Sequence, residues 1–155
     1  EGTVRSDNFF APGSILIDSL LRVHDLEYWH RLSSLSLSER EIRRVGFPLT
    51  PELVDREVTI MQGTIECTQH AIRHGVAMNI AGGTHHAFTN RGEGFCLLND
   101  IAIAAQYLLD HQQAKQILVV DLDVHQGNGT AQIFKNEPRA FTFSMHGANN
   151  YPLIK

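Results

Sequence analysis

Three side chains able to hold a divalent metal stand at every second position in Asp121-Leu122-Asp123-Val124-His125. Alternation along an extended chain turns them to one side. Two carboxylates and an imidazole at the end of an apolar strand are costly to desolvate unless something pairs with them, and a divalent metal would do so. One oxygen and one nitrogen donor, from Asp123 and His125, suit zinc or iron(II). A catalytic metal needs about three protein ligands and an open position for water. Asp121 lies on the same side and either joins them or orients a histidine from behind. A lone Asp-x-His is weak on its own. Its place before the turn Gly127-Asn128-Gly129 strengthens it.

The second constellation is His85-His86 after Gly82-Gly83. An adjacent pair can be mundane, one ring packed and one exposed. Here the glycines let other groups approach closely, and Asp121 and Asn128 are available as acceptors to fix the tautomers. A histidine beside a metal-bound water is a natural general base, and later an acid for the leaving group. His70 and His74, four apart near a helix end, are better read as a solvated pair at the negative helix terminus than as ligands. Gly92-x-Gly94 and Gly127-x-Gly129 match no complete phosphate-binding pattern and read as turns. Cys96 reads as a buried structural thiol rather than a nucleophile, and there is no Gly-x-Ser-x-Gly elbow.

These residues need elements to hold them. Ile117 to Val120 is apolar and mostly β-branched, the pattern of a strand buried on both faces. Val76 to Ala81 and Ala140 to Met145 read as further strands, each ending near a candidate site. Helices are expected over Ser14 to Val23, from Asp25 through Trp29 and Leu32, and from Ser38 to Gly46 behind a Ser-x-x-Glu capping box. A long amphipathic helix follows Thr50-Pro51, with Leu53, Ile60, Ile65, Ala71 and Ile72 on its apolar face, until Gly75. Two more are expected, from Asn99 or Asp100 to about His111 and near Ala131 to Phe134. Strands alternating with helices make an α/β domain with a parallel sheet, whose ligands bind beyond the carboxyl ends of the strands.

The composition, 43% hydrophobic and 19% charged over 155 residues, is that of one soluble globular domain with a real core. A net charge of -4 gives no footprint for nucleic acid or an anionic membrane. Arg40, Arg43 and Arg44 are balanced by Glu39 and Glu41, as on a solvated helix face. No stretch approaches the roughly 18 apolar residues of a membrane span. Cys67 and Cys96 form no disulfide framework, and a reduced, cytoplasmic setting is expected.

Gly82 to Asp100, GGTHHAFTNRGEGFCLLND, followed by Val119 to Thr130, VVDLDVHQGNGT, resembles the zinc-dependent histone deacetylases and their bacterial relatives of the arginase/deacetylase fold. Phe143 to His146 falls where the family's next strand ends. LLRVHDLEYW and RRVGFPLTPELVDR extend the likeness less sharply. His-Gln-Gly-Asn-Gly and Gly-Phe-Pro bring it nearest the class IV branch and its bacterial cousins.

The resemblance implies a three-layer α/β/α architecture with a mainly parallel sheet, incomplete at its C-terminal side. Residues 1–155 would be the amino-terminal half of one catalytic domain. It implies Asp123 and His125 as zinc ligands (iron(II) being the alternative) and His85 and His86 as the catalytic pair, His86 being the base. Asp121 would bond His85, and Asn128 would stand where many members have an aspartate that holds His86. Asn128 would orient the ring through its carbonyl, or force the other tautomer if its amide faces it. Gly94 and Phe95 would line the acyl-lysine tunnel. A structural potassium site would involve Asp121, Asp123, His125, Ser144 and Met145, and a second the backbone near Phe134. The implied activity is removal of acyl groups from lysine side chains. Acetylated polyamines or other small amides are the alternative substrates, and a silent binding module on the same fold is the alternative function. The family's third zinc ligand and carbonyl-polarising tyrosine would fall beyond Lys155, so a poorly active fragment is expected, and a second polypeptide carrying the other half is among the expected partners.

Overall fold

The computed structural model describes residues 4–14 and 16–154. After a single 3-10 turn, Ser6–Asn8, come α1 (Ile17–Leu20), α2 (Leu26–Ser33), α3 (Glu39–Val45), α4 (Pro51–His74), α5 (Asp100–Asp110), β1 (Ile117–Asp121), α6 (Asn128–Ile133) and β2 (Ala140–Ser144). The capping box of α3 forms as its sequence dictates. Ser38 Oγ accepts from the Glu41 N–H, and Glu41 Oε2 accepts from the Ser38 N–H at 2.8 Å. Thr50 Oγ1 caps α4 by accepting from the Leu53 N–H, with Pro51 in the first turn, where its missing N–H costs nothing.

α4 packs chiefly against α5. Its buried stripe is Val54, Val58, Met61 and Ile65, at helical spacing, joined in the core by Tyr28, Leu32, Leu97, Leu98 and Ile103. This corrects the apolar face expected from sequence, because Ile72 is exposed and Glu57 and Gln62 are buried. The first helix is also shorter than expected, and Ile15 lies outside the described residues.

β1 and β2 pair in parallel, in register from Ile117↔Ala140 to Asp121↔Ser144, with α6 in the crossover. α5 packs against β1, and Val119 is buried. The opposite face is bare: Leu118, Val120, Phe141 and Phe143 are exposed. The expectation of a strand buried on both faces therefore fails, because no second layer covers this face among the described residues. Val76 to Ala81 is not a strand. Val76, Met78 and Ile80 are exposed, and the segment has no backbone ladder. Its alternation is that of a strand, but strand structure requires a neighbour to pair with. No helix among the described residues is long and apolar enough to cross a membrane.

Candidate active site

The two histidines follow a loop anchored by a buried carboxylate. Asp100, at the start of α5, is 2% exposed. Its Oδ1 accepts from the Thr84 N–H at 2.8 Å and the Thr84 hydroxyl at 2.5 Å. Its Oδ2 accepts from the Gly83 N–H at 3.2 Å and the Thr64 hydroxyl at 2.7 Å. Four donors and a helix N-terminus stabilise the charge in place of a cation. Gly82 has φ +131, and a Cβ there would come within 2.5 Å of Asp100 Oδ2, so both its backbone and its lack of a side chain are required.

A second anchor lies on the far side. Asn99 caps α5 by accepting from the Ala102 N–H, and its amide donates to the Ala87 carbonyl and to Thr130. The Asn99 N–H donates to His24 Nε2 at 2.9 Å. That nitrogen must then carry a lone pair, so Nδ1 holds the proton and faces the Thr89 carbonyl at 3.3 Å. Burial holds His24 down at about 4.

His85 Nδ1 lies 2.5 Å from Asp121 Oδ2, and His86 Nδ1 lies 2.7 Å from Asn128 Oδ1. The Gly129 N–H also donates to Asn128 Oδ1, at 3.0 Å. A backbone donor requires an oxygen at that position, so the carbonyl of Asn128, not its amide, faces the ring. His86 Nδ1–H is therefore the donor, and Nε2 is left as the basic nitrogen. Burial lowers the His86 pKa, the bond to Asn128 opposes this, and neighbouring His85 and His125 lower it further. The net shift favours the unprotonated ring, the state a base requires.

Asp123 and His125 follow the end of β1, with Leu122 and Val124 pointing out between them. Asp123 Oδ1 accepts from the His125 N–H at 2.7 Å and lies 3.0 Å from His125 Nδ1. The first of these bonds holds the carboxyl below its usual range. His85 Nε2 is 3.9 Å from the same oxygen, and the His86 and His125 rings are 6.0 Å apart. An ionised carboxylate oxygen and an imidazole suit zinc. They fit as two of its ligands, and no group of three or more is gathered among the described residues. Asp121 stands behind His85, with its other oxygen accepting from the Asp123 N–H at 3.0 Å.

His85, His86, Asp123 and His125 line one cavity of about 840 Å³ with Gly94 and Phe95. Phe95 is held by its N–H to the Val45 carbonyl at 2.7 Å and by an edge contact to Phe47. Sequence reading missed several of the lining residues. Tyr151 stands edge-on to His86, and Glu93, Arg44, Arg56 and Glu57 are among the other lining residues. Burial raises Glu57 to about 7, partly offset by adjacent Arg56. The cap positions of Asn99 and Asp100 were readable, but their long-range partners were not. Cys96 is a buried thiol pushed up to about 12 by burial, so it is no nucleophile at neutral pH. His70 stacks on Phe10 away from the cavity.

Of the residues expected at a potassium site, Asp121 and Ser144 sit opposite each other at the strand ends. The Met145 N–H donates to the Asp121 carbonyl at 2.9 Å. Asp121 and Ser144 line a second cavity of about 170 Å³, whereas Asp123 and His125 face the larger one. Phe134 is buried at the end of α6, its carbonyl accepting from the Glu137 N–H.

The chain is 43% identical over all 155 residues to an uncharacterized protein of Picosynechococcus, covering 52% of it. It is 32% identical over 140 residues to histone deacetylase 2 of Arabidopsis thaliana, covering 86% of this chain and 36% of that protein. The crystal structure of an HDAC homolog from Aquifex aeolicus superposes with a TM-score of 0.85 at 24% identity, over 98% of this chain and 44% of that one, which shows a shared fold. The chain thus spans between 36% and 52% of the length of these relatives. The sequence model of the histone deacetylase domain matches residues 2–155, and the chain belongs to that family.

Proposed function

We propose that this chain is the amino-terminal half of one zinc-dependent catalytic domain that hydrolyses acyl-lysine amides. The observation that carries the reading is the shared cavity. Two histidines, each with Nδ1 committed to an oxygen, face the Asp123–His125 pair across it. Asp123 and His125 would hold zinc, which when bound supplies Lewis-acid activation of the amide carbonyl and of water. His86 Nε2 takes the proton of the attacking water. Asn128 fixes the Nδ1 proton and so aims Nε2 at the water, and the same ring returns the proton to the departing amine. His85 is held in place beside the developing oxyanion by the Asp121 carboxylate. Phe95 and Gly94 guide the acyl chain. The products are a carboxylic acid and a free amine. Asp121, Ser144 and Met145 form part of a structural potassium site in the same reading.

The partial donor set favours a second reading, a silent binding module on the same fold. Acetyl-lysine peptides and acetylated polyamines, each incubated with zinc and the purified chain, separate the possibilities. Slow hydrolysis of the peptide that disappears in His86→Ala is expected, and no zinc retention and no hydrolysis would favour the silent module. Turnover by this chain alone at the rate of a full-length relative would refute the half-domain.

A further inference from the structure

The chemistry above leaves Tyr151 without a role. Its ring lies T-shaped against His86, with centroids 4.9 Å apart and planes at 86°. It comes from an irregular segment after β2, where Leu153 and Ile154 are exposed, so no helix or strand holds it. Its hydroxyl donates to Glu93 Oε1. The other oxygen of Glu93 accepts from Arg91 Nε at 3.3 Å, and the Arg91 guanidinium sits 3.6 Å above the Phe88 ring. Backbone bonds fix the loop that carries these groups: Phe88 N–H to the Arg91 carbonyl and Glu93 N–H to the Cys96 carbonyl, both at 2.9 Å. Between Glu93 and Phe95, a Cβ on Gly94 would fall 2.8 Å from His86 Cδ2 and 3.3 Å from Tyr151 Cε1, so the rings close directly over bare backbone.

We propose that Glu93, braced by Arg91, latches Tyr151 in place as a cavity wall beside His86, and that this latch sets the width of acyl chain the cavity admits. The proposal rests on the acyl-lysine reading above. Phe95 is held by its own backbone and by Phe47, whereas Tyr151 depends on a side-chain bond. A phenol that donates to a carboxylate has its proton committed, so Tyr151 is a wall and not a donor to the reacting carbonyl. A rigid wall rejects bulk that a loose one would accommodate.

The test compares Glu93→Ala, Glu93→Gln and Tyr151→Phe with the wild-type chain, loaded with zinc. The first readout, independent of catalysis, is the NMR cross-peaks between the Tyr151 and His86 rings. They are expected in the wild type and in Glu93→Gln, which keeps an acceptor oxygen, and to weaken in Glu93→Ala and Tyr151→Phe. Undiminished cross-peaks in Glu93→Ala would overturn the latch. The second is binding of fluorescent acetyl-lysine and isobutyryl-lysine peptides. Wild type is expected to prefer acetyl, and Glu93→Ala and Tyr151→Phe to lose about tenfold of that preference, the scale of one hydrogen bond to a charged group. Equal selectivity in all four proteins would overturn the specificity role. A wild-type chain that binds neither peptide would refute the acyl-lysine reading and the specificity role with it, while the ring cross-peaks decide the latch separately.

Discussion

At the scale of single residues, the site is built from oxygens that choose histidine tautomers. Asn128 is the informative one, since its carbonyl is fixed by the Gly129 N–H and so fixes His86. A carboxylate there would stabilise the imidazolium further. Asn128→Asp is therefore expected to raise the His86 pKa and move the acid limb of any hydrolysis profile to higher pH. A rate-versus-pH series checks this, and an unmoved limb would remove His86 as the base. His24 gives a separate stability prediction. Its folded pKa is depressed to about 4, against an ordinary value of 6.5, because burial disfavours the charged ring. The unfolded chain then binds more protons below about pH 6.5, so stability is lost as pH falls toward 4. At pH 5 this amounts to about 2 kcal/mol relative to pH 7. Urea melts at the two pH values should show that loss in the wild type and little of it in His24→Gln.

At the scale of elements, the capped ends were the most readable features. Ser38 with Glu41, Thr50 with Pro51, and Asn99 each mark a helix start that the structure contains, because capping is a bond between neighbours in sequence. The face of α4 was misread, since periodicity gives a stripe but not which partner covers it, and Glu57 and Gln62 are buried by contacts far away in sequence. Replacing Met61, a fully buried core residue of α4, with alanine is expected to cost the fold about 2–5 kcal/mol. A thermal melt measures it. Asp100→Ala would leave the Thr84 and Gly83 donors unsatisfied and free the histidine loop, so a fall in stability of a few kcal/mol is expected with a broadened His85 and His86 NMR signature.

At the scale of the whole molecule, the order of the helices and of the last two strands was legible, and the contact between His85 and Asp121 was expected from the family resemblance. The extent of the sheet was not. Val76 to Ala81 has a strand's alternation without a strand's partner, and the face bearing Leu118, Val120, Phe141 and Phe143 is apolar yet open. Patterning reports what a segment is suited to bury against, and only neighbouring chain can supply the contact. This face is expected to bind a hydrophobic dye strongly, and Leu118→Lys with Phe141→Lys to reduce that binding while far-UV ellipticity holds.

The central claim is that Asp123 and His125 hold a zinc ion within reach of the histidine pair. Its most direct test is equilibrium zinc binding to the purified chain, read both by calorimetry and by histidine side-chain NMR. One weakly held zinc per chain is expected, shifting the His125 signals, abolished by Asp123→Ala or His125→Ala and retained in His86→Ala. Zinc that binds equally well to the Asp123 and His125 variants, or that moves His70 and His74 instead, would contradict the account.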